Sequence, residues 1–339
     1  MLAKFRISLF ATAAMALAAP AVAGEVNVYS YRQPELIDHL TAKFTAETGI
    51  KVNTAFLKKG MIEKLEAEGD RSPADLIFTV DIARLTAVVN GGYTQPVESD
   101  VLSANIPADL RDPNNHWFGL TTRARVAFSS KERAAEGPAT YNELADPKWK
   151  GRICIRSGTN AYNVSLFAAA IHHMGAEGAK TWLQGVKDNL ARKPQGNDRA
   201  QAKAVFAGEC DIGIGNTYYV GKMENNEKNP EQKEWAASIN VIFPVFEGGG
   251  THVNISGMAL AKHAPNKADA IKLMEFLASP EVQTIYAEKN YEYPVAPGTK
   301  PSAQVASWGT FTADPVNLEE LAKLRPAALK MIEEVDFDN

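Results

Sequence analysis

The chain has 339 residues, 45% of them hydrophobic and 22% charged, which is the composition of an ordinary soluble globular protein. Its length predicts two domains. The formal charge is −4, and it falls to −6 without the two cations Lys4 and Arg6 of an expected leader, an acidic excess that argues against nucleic acid, whose binding needs clustered Lys and Arg.

The first 23 residues read as a secretory leader. Lys4 and Arg6 open it, Ile7 to Leu17 is apolar but too short to span a membrane, and Ala21-Val22-Ala23 is a small-residue cleavage site. The mature chain is expected to begin near Gly24 and to lie outside the cytoplasm. With no lipid-attachment cysteine after the apolar run and no second long apolar stretch, it is expected to be freely soluble there.

Next come an alternating strand at Val26–Tyr31, a helical pattern over Leu36–Gly49, a strand at Lys51–Phe56, a helix at Met61–Glu68 and a strand at Ala74–Val80. This alternation predicts a parallel sheet with crossover helices. His116–Phe128 reads as one strand longer than a compact domain needs. A second strand–helix rhythm begins at Gly151–Arg156, continues through helices between Asn163 and Gly208, and returns to a strand at Cys210–Ile214. A second long extended segment, His252–Ala261, precedes helices at Lys267–Leu277, Pro280–Lys289 and Leu318–Ile332. Two long strands passing between two α/β lobes predict a clamshell, each lobe built from discontinuous chain. The expected N-terminal lobe is residues 24–122 with 247–297, and the C-terminal lobe is residues 123–246 with 298–339.

Cys154 and Cys210 are the two cysteines, and export makes a disulfide between them the expectation. Tyr162 follows Cys154 by eight positions, and Tyr218 follows Cys210 by the same eight. If the two segments are neighbouring parallel strands held abreast by the disulfide, both tyrosines reach the carboxyl edge of the sheet, where open α/β sheets bind ligands. Tyr218 and Tyr219 are adjacent. In a strand they would point to opposite faces, but with Asn216 or Thr217 as an N-cap they occupy the first turn of a helix, about 100° apart.

The element Ala202–Ile214 and the run from Asn266 to Val295 resemble the substrate-binding proteins of bacterial ABC importers. Within that superfamily the chain is most similar to the periplasmic ferric-ion-binding proteins. The residues that carry the resemblance are Tyr29–Pro34, Leu120–Val126, Arg156–Asn163 and Asn216–Tyr219. It extends over essentially the whole mature chain, and implies a type II-like clamshell whose lobes are mainly parallel sheets flanked by helices and joined by crossing hinge strands. It also implies a monomer that is not an enzyme, with an inner-membrane permease and its ATPase as partners.

Ferric iron suits these residues. It is a small hard trication that prefers oxygen donors, and ionising a phenol at pH 7 costs about 4 kcal/mol, which selects for a highly charged ion. The resemblance implies Tyr162, Tyr218 and Tyr219 as ligands, with a synergistic anion, carbonate or bicarbonate, completing the shell. Arg123 is the expected anion-binding residue, since a guanidinium grips two oxygens at once. Gln33 and Asn160 are further expected donors, and Arg32 stands between an anion role and a structural ion pair. Arg123 could instead pair with a carboxylate across the hinge, and Arg125, on the same strand face, could exchange roles with it.

Some relatives carry His-Tyr where this chain has Gln33-Pro34, and proline cannot ligate. Three tyrosines plus an anion are therefore expected, with Tyr31 left open as a further contributor. The alternative is a binding protein of the same fold for a small organic ligand, a polyamine or thiamine-like molecule, on which the tyrosines would stack. His172-His173 diverge on a helix and read as surface. No nucleophile and general-base pair stands out, which disfavours a hydrolase.

Overall fold

A computed structural model describes residues 24–339, so the leader expected over residues 1–23 lies outside the described residues. The strands are β1 Glu25–Ser30, β2 Lys51–Phe56, β3 Leu76–Thr79, β4 Thr94–Gln95, β5 Phe118–Ser130, β6 Ile153–Cys154, β7 Ile212–Asn216, β8 Ile239–Ile242, β9 Val253–Ala261 and β10 Tyr293–Pro294. The helices that position the site or close the lobes are α1 Asp38–Thr48, α2 Met61–Glu68, α3 Ile82–Asn90, α4 Asp100–Asn105, α5 Ala161–Asp188, α6 Asp198–Phe206 and α7 Tyr218–Glu224. They are followed by α8 Glu231–Ala237, α9 Lys267–Ala278, α10 Pro280–Asn290, α11 Ala303–Ser307, α12 Leu318–Lys323 and α13 Arg325–Glu334. None of the described helices is long and apolar enough to cross a membrane.

The strand order is β2-β1-β3-β9-β5-β7-β6, with β4, β8 and β10 added at the sides. β1 pairs in parallel with β2 and β3, and β6 pairs in parallel with β7, which is the α/β organisation the alternating pattern predicts. The long strand β5 joins the two halves. Its residues Phe118–Ala124 pair with β9, and its residues Arg125–Ser129 pair with β7. Almost the whole of β5 is buried, as a strand covered on both faces must be.

Each half has its own core. Val26, Phe44, Leu76, Leu260 and Leu273 pack together around β1, β3 and β9, while Phe167, Trp182, Ile212 and Phe337 pack around α5 and β7. Helix α13 lies on α5, and α12 touches both α5 and α3.

Three local features differ from the expectations. The helix expected at Leu318–Ile332 is broken at Leu324, because Pro326 starts a new first turn in α13. The helices expected after Asn163 begin as one 28-residue helix, kinked at Gly175, whose φ of 70° suits glycine.

The third difference concerns the cysteines. The disulfide Cys154–Cys210 is present, with Cα atoms 5.9 Å apart, and β6 and β7 are neighbouring parallel strands as expected. They are not held abreast at the cysteines, however: Cys154 lies opposite Gly213, and Cys210 precedes β7. The equal spacing of eight is therefore not what aligns Tyr162 with Tyr218. The chain after β6 absorbs the extra residues in a turn over Ser157–Asn160 before α5 begins.

The disulfide closes a loop with a sequence separation of 56. Changing both cysteines to serine is expected to lower unfolding stability by about 4 kcal/mol in the chain-entropy account. A denaturant midpoint equal to wild type in the oxidised protein would contradict this.

Candidate metal centre

Tyr162 and Tyr218 stand in the first turns of two helices that leave the carboxyl ends of adjacent parallel strands. Tyr218 is the first residue of α7 and Tyr162 the second of α5. Their hydroxyls are 3.2 Å apart, with Tyr218 donating to Tyr162. The rings of Tyr218 and Tyr219 pack against each other, tilted, with centroids 4.4 Å apart. The doublet is thus the opening of a helix, as expected, but Thr217 is itself helical and makes no side-chain capping bond. The partial positive charge of both helix N-termini favours an ionised phenol.

Strand β7 approaches so closely that a Cβ on Gly215 would stand 2.2 Å from the Phe128 ring. Glycine there lets β7 lie flat against β5 and hold α7 in place.

Behind the tyrosines lies a buried carboxylate. Asp198, the first residue of α6, is 0% exposed and accepts from Arg125 at 2.7 Å, Arg156 at 3.0 Å and the Asn216 backbone N–H at 2.9 Å. Arg125 also donates to Asn163 and Asn216. Both Nη atoms of Arg125 are thereby held by structural partners, unlike those of Arg123. The Tyr162 ring sits among three guanidinium groups, with Arg123, Arg125 and Arg156 at 5.8, 5.9 and 5.4 Å from its centroid.

A cavity of about 130 Å³ opens in front of the phenols, lined by residues of both halves, including Tyr31, Gln33 and Arg123 with the three tyrosines. Burial pushes the Tyr218 hydroxyl well above the usual phenol range, reinforced by the neighbouring Tyr162 and Tyr219. Burial likewise raises Tyr219. Among the described residues, no group of three or more His, Cys, Asp or Glu side chains could hold a metal, and the cavity lining offers the phenols together with one carboxylate, Glu292, which is paired with Arg32.

Arg123 is 3% exposed. It pairs with no carboxylate among the described residues: Nη2 donates to the Val80 carbonyl, and Nη1 has no protein partner among those residues. Gln33 lines the cavity and is exposed. Asn160 caps α5, its side-chain oxygen accepting from the Tyr162 N–H at 3.1 Å, and it does not line the cavity. Arg32 lines it, but its guanidinium is bound to Glu292 at 2.5 Å and to Ser256. The Tyr31 hydroxyl accepts from the Met61 N–H at 2.9 Å.

Sequence reasoning missed Arg84, Arg199 and Lys222, which line the same cavity. The Lys222 ammonium is pushed down to about 8, chiefly by burial. The only signal available was helical spacing, since Lys222 lies one turn beyond Tyr218 and Tyr219. His173 is not a free surface residue. It is partly buried, stacks on Phe246 at 4.5 Å and meets Asp314 at 2.7 Å. His252 is buried and neutral, its ring pushed down to about 3 by burial and by the charges of Arg123 and Arg125.

Residues 71–310 match the family of bacterial extracellular solute-binding proteins. Iron uptake protein A1 of Synechocystis is 46% identical over 315 residues, covering 92% of this chain and 87% of that protein. Among solved structures, the apo ferric ion-binding protein A of Pasteurella haemolytica superposes with a TM-score of 0.89 at 53% identity, covering 94% of this chain and 99% of that one. A Trichodesmium protein solved with iron and citrate gives 0.87 at 43% identity, covering 93% and 100%. These neighbours share the two-lobed fold.

Replacing Asp198 by asparagine leaves the buried Arg125 and the partly buried Arg156 without their counter-charge. The expected loss is about 3–5 kcal/mol of unfolding stability. Denaturant unfolding checks this, and a loss below about 1 kcal/mol, the level of an exposed pair, would refute the network's role.

Proposed function

This chain belongs to the family of bacterial extracellular solute-binding proteins, and from that premise we propose that it captures Fe(III) in the cleft and delivers it to an ABC importer. The family is one of transport binding proteins, not enzymes. The proposed setting is the periplasm, with an inner-membrane permease and its ATPase as partners. The proposed lobes are residues 24–122 with 247–297 and residues 123–246 with 298–339, closing about β5 and β9.

The observation that carries the reading is the convergence of Tyr162, Tyr218 and Tyr219 on one small cavity. A phenol costs about 4 kcal/mol to ionise at pH 7, and burial adds to that cost at Tyr218 and Tyr219. A divalent ion such as calcium or magnesium does not offset such a sum, whereas a hard trication does. The names of the relatives agree with this selectivity, being proteins of iron uptake and ferric ion binding.

Three phenolates neutralise Fe(III) and leave coordination positions for an anion. Arg123 is the proposed anion-binding residue: its Nη1 has no protein partner among the described residues, and it borders the cavity. Carbonate is the proposed anion, with Gln33 as a second donor. Asn160, engaged as a helix cap, contributes by fixing Tyr162. Arg32 contributes by holding Glu292, and Tyr31 by anchoring the start of α2.

Adding ferric citrate is expected to produce the visible tyrosinate-to-iron absorption, and a protein that stays colourless would refute the reading. Tyr218→Phe and Tyr219→Phe are each expected to weaken iron binding by at least about a hundredfold, the equivalent of roughly 3 kcal/mol, while leaving the melting transition in place. Ligation by three phenolates releases about three protons, so the logarithm of affinity is expected to rise by about three per pH unit below neutrality. Affinity that is flat between mildly acidic and neutral pH would exclude ligation by ionised tyrosine.

A further inference from the structure

Behind the cleft wall lies a second chamber of about 10 Å³, lined by Arg123, Arg125, Tyr162, Asn216, His252 and Asn254. It is assembled by strand register. Arg123 lies opposite Asn254 and Arg125 opposite Asn216, and the Arg125 N–H donates to the His252 carbonyl. Three side-chain nitrogens of its lining residues, Arg123 Nη1, Arg125 Nε and His252 Nδ1, are buried without a protein hydrogen-bond partner among the described residues. The three residues are only 3%, 2% and 2% exposed.

Size and polarity select the occupant. A chamber of about 10–15 Å³ with two to four polar partners suits one water molecule. The guanidinium groups can only donate, whereas the neutral imidazole can accept at Nδ1. One water satisfies all three, accepting from two arginines and donating to the histidine. A cation is repelled by the arginines, and a polyatomic anion is too large.

We infer that the chamber is a site for one ordered water, and that through it His252 is a positioning residue for Arg123. Arg123 forms the wall between chamber and cleft. Its Nη2 is anchored to Val80, and one such bond leaves a guanidinium free to pivot. A second bond on the chamber side fixes the plane it presents to an anion. This inference rests on the reading of Arg123 as the anion-binding residue.

Diffraction from crystals of the iron-free protein is expected to show one water within hydrogen-bond distance of His252 Nδ1 and an arginine nitrogen; a dry chamber overturns the inference whatever the iron-binding result. In solution, His252→Leu is expected to raise the bicarbonate concentration needed for half-maximal iron loading roughly tenfold, the loss of one charge-assisted hydrogen bond. His252→Asn, which keeps a polar atom near the position of Nδ1, is expected to restore the wild-type requirement. A merely structural histidine would lower the melting temperature without moving the bicarbonate requirement, and that result in H252L overturns the positioning role. If H252L does not fold, a bicarbonate requirement in H252N raised as far as tenfold overturns it equally. Wild-type iron loading with no bicarbonate dependence would refute the carbonate reading, and with it the effect on Arg123, but not the water.

Discussion

The centre depends on one buried carboxylate. Asp198 is the point at which β5, the segment after β6, and β7 are tied together, through Arg125, Arg156 and the Asn216 N–H. Those are the segments that lead into Tyr162 and Tyr218. Without a negative charge at that point, the buried Arg125 and the partly buried Arg156 would both be left unpaired, at a cost of several kcal/mol. The same carboxylate opposes ionisation of the phenols, raising both Tyr218 and Tyr219. The carboxylate that fixes these segments thus adds to the burial that already disfavours ionising Tyr218 and Tyr219.

That tension explains the cationic lining. Arg123, Arg156 and the helix N-termini offset the carboxylate and lower the cost of phenolate formation, while Arg84, Arg199 and Lys222 line the mouth of the cavity. A buried phenol is a poor ligand for a weakly charged ion and a good one for a trication, because the ion must supply the free energy of deprotonation. Selectivity by charge in this sense needs no unusual geometry, only burial.

Much of this was legible in the sequence. The alternation of strands and helices, the two long strands and the doublet Tyr218-Tyr219 all follow local periodicity, and local periodicity survived into the fold. The register of β6 on β7 did not follow from the cysteines, because a disulfide fixes the distance between two Cα atoms and says nothing of which residues lie opposite. Tyr162 and Tyr218 still meet, through a turn after β6 whose length no pattern announced. Asp198 belongs to no sequence motif, and its partners Arg125, Arg156 and Asn216 lie 73, 42 and 18 positions away. Arg199 and Lys222 carry no motif, since their convergence is created by tertiary packing alone.

Strand β5 has one further consequence. Arg123 and Arg125 are two residues apart on one face, yet they answer to different halves of the molecule. Arg123 is pinned to Val80 on the β3 side, and Arg125 to Asp198 on the β7 side, with Ala124 between them as the last residue paired to β9. The two guanidinium groups therefore share a strand face but not an anchor, and through them the side chains of β5 are tied to both halves of the molecule.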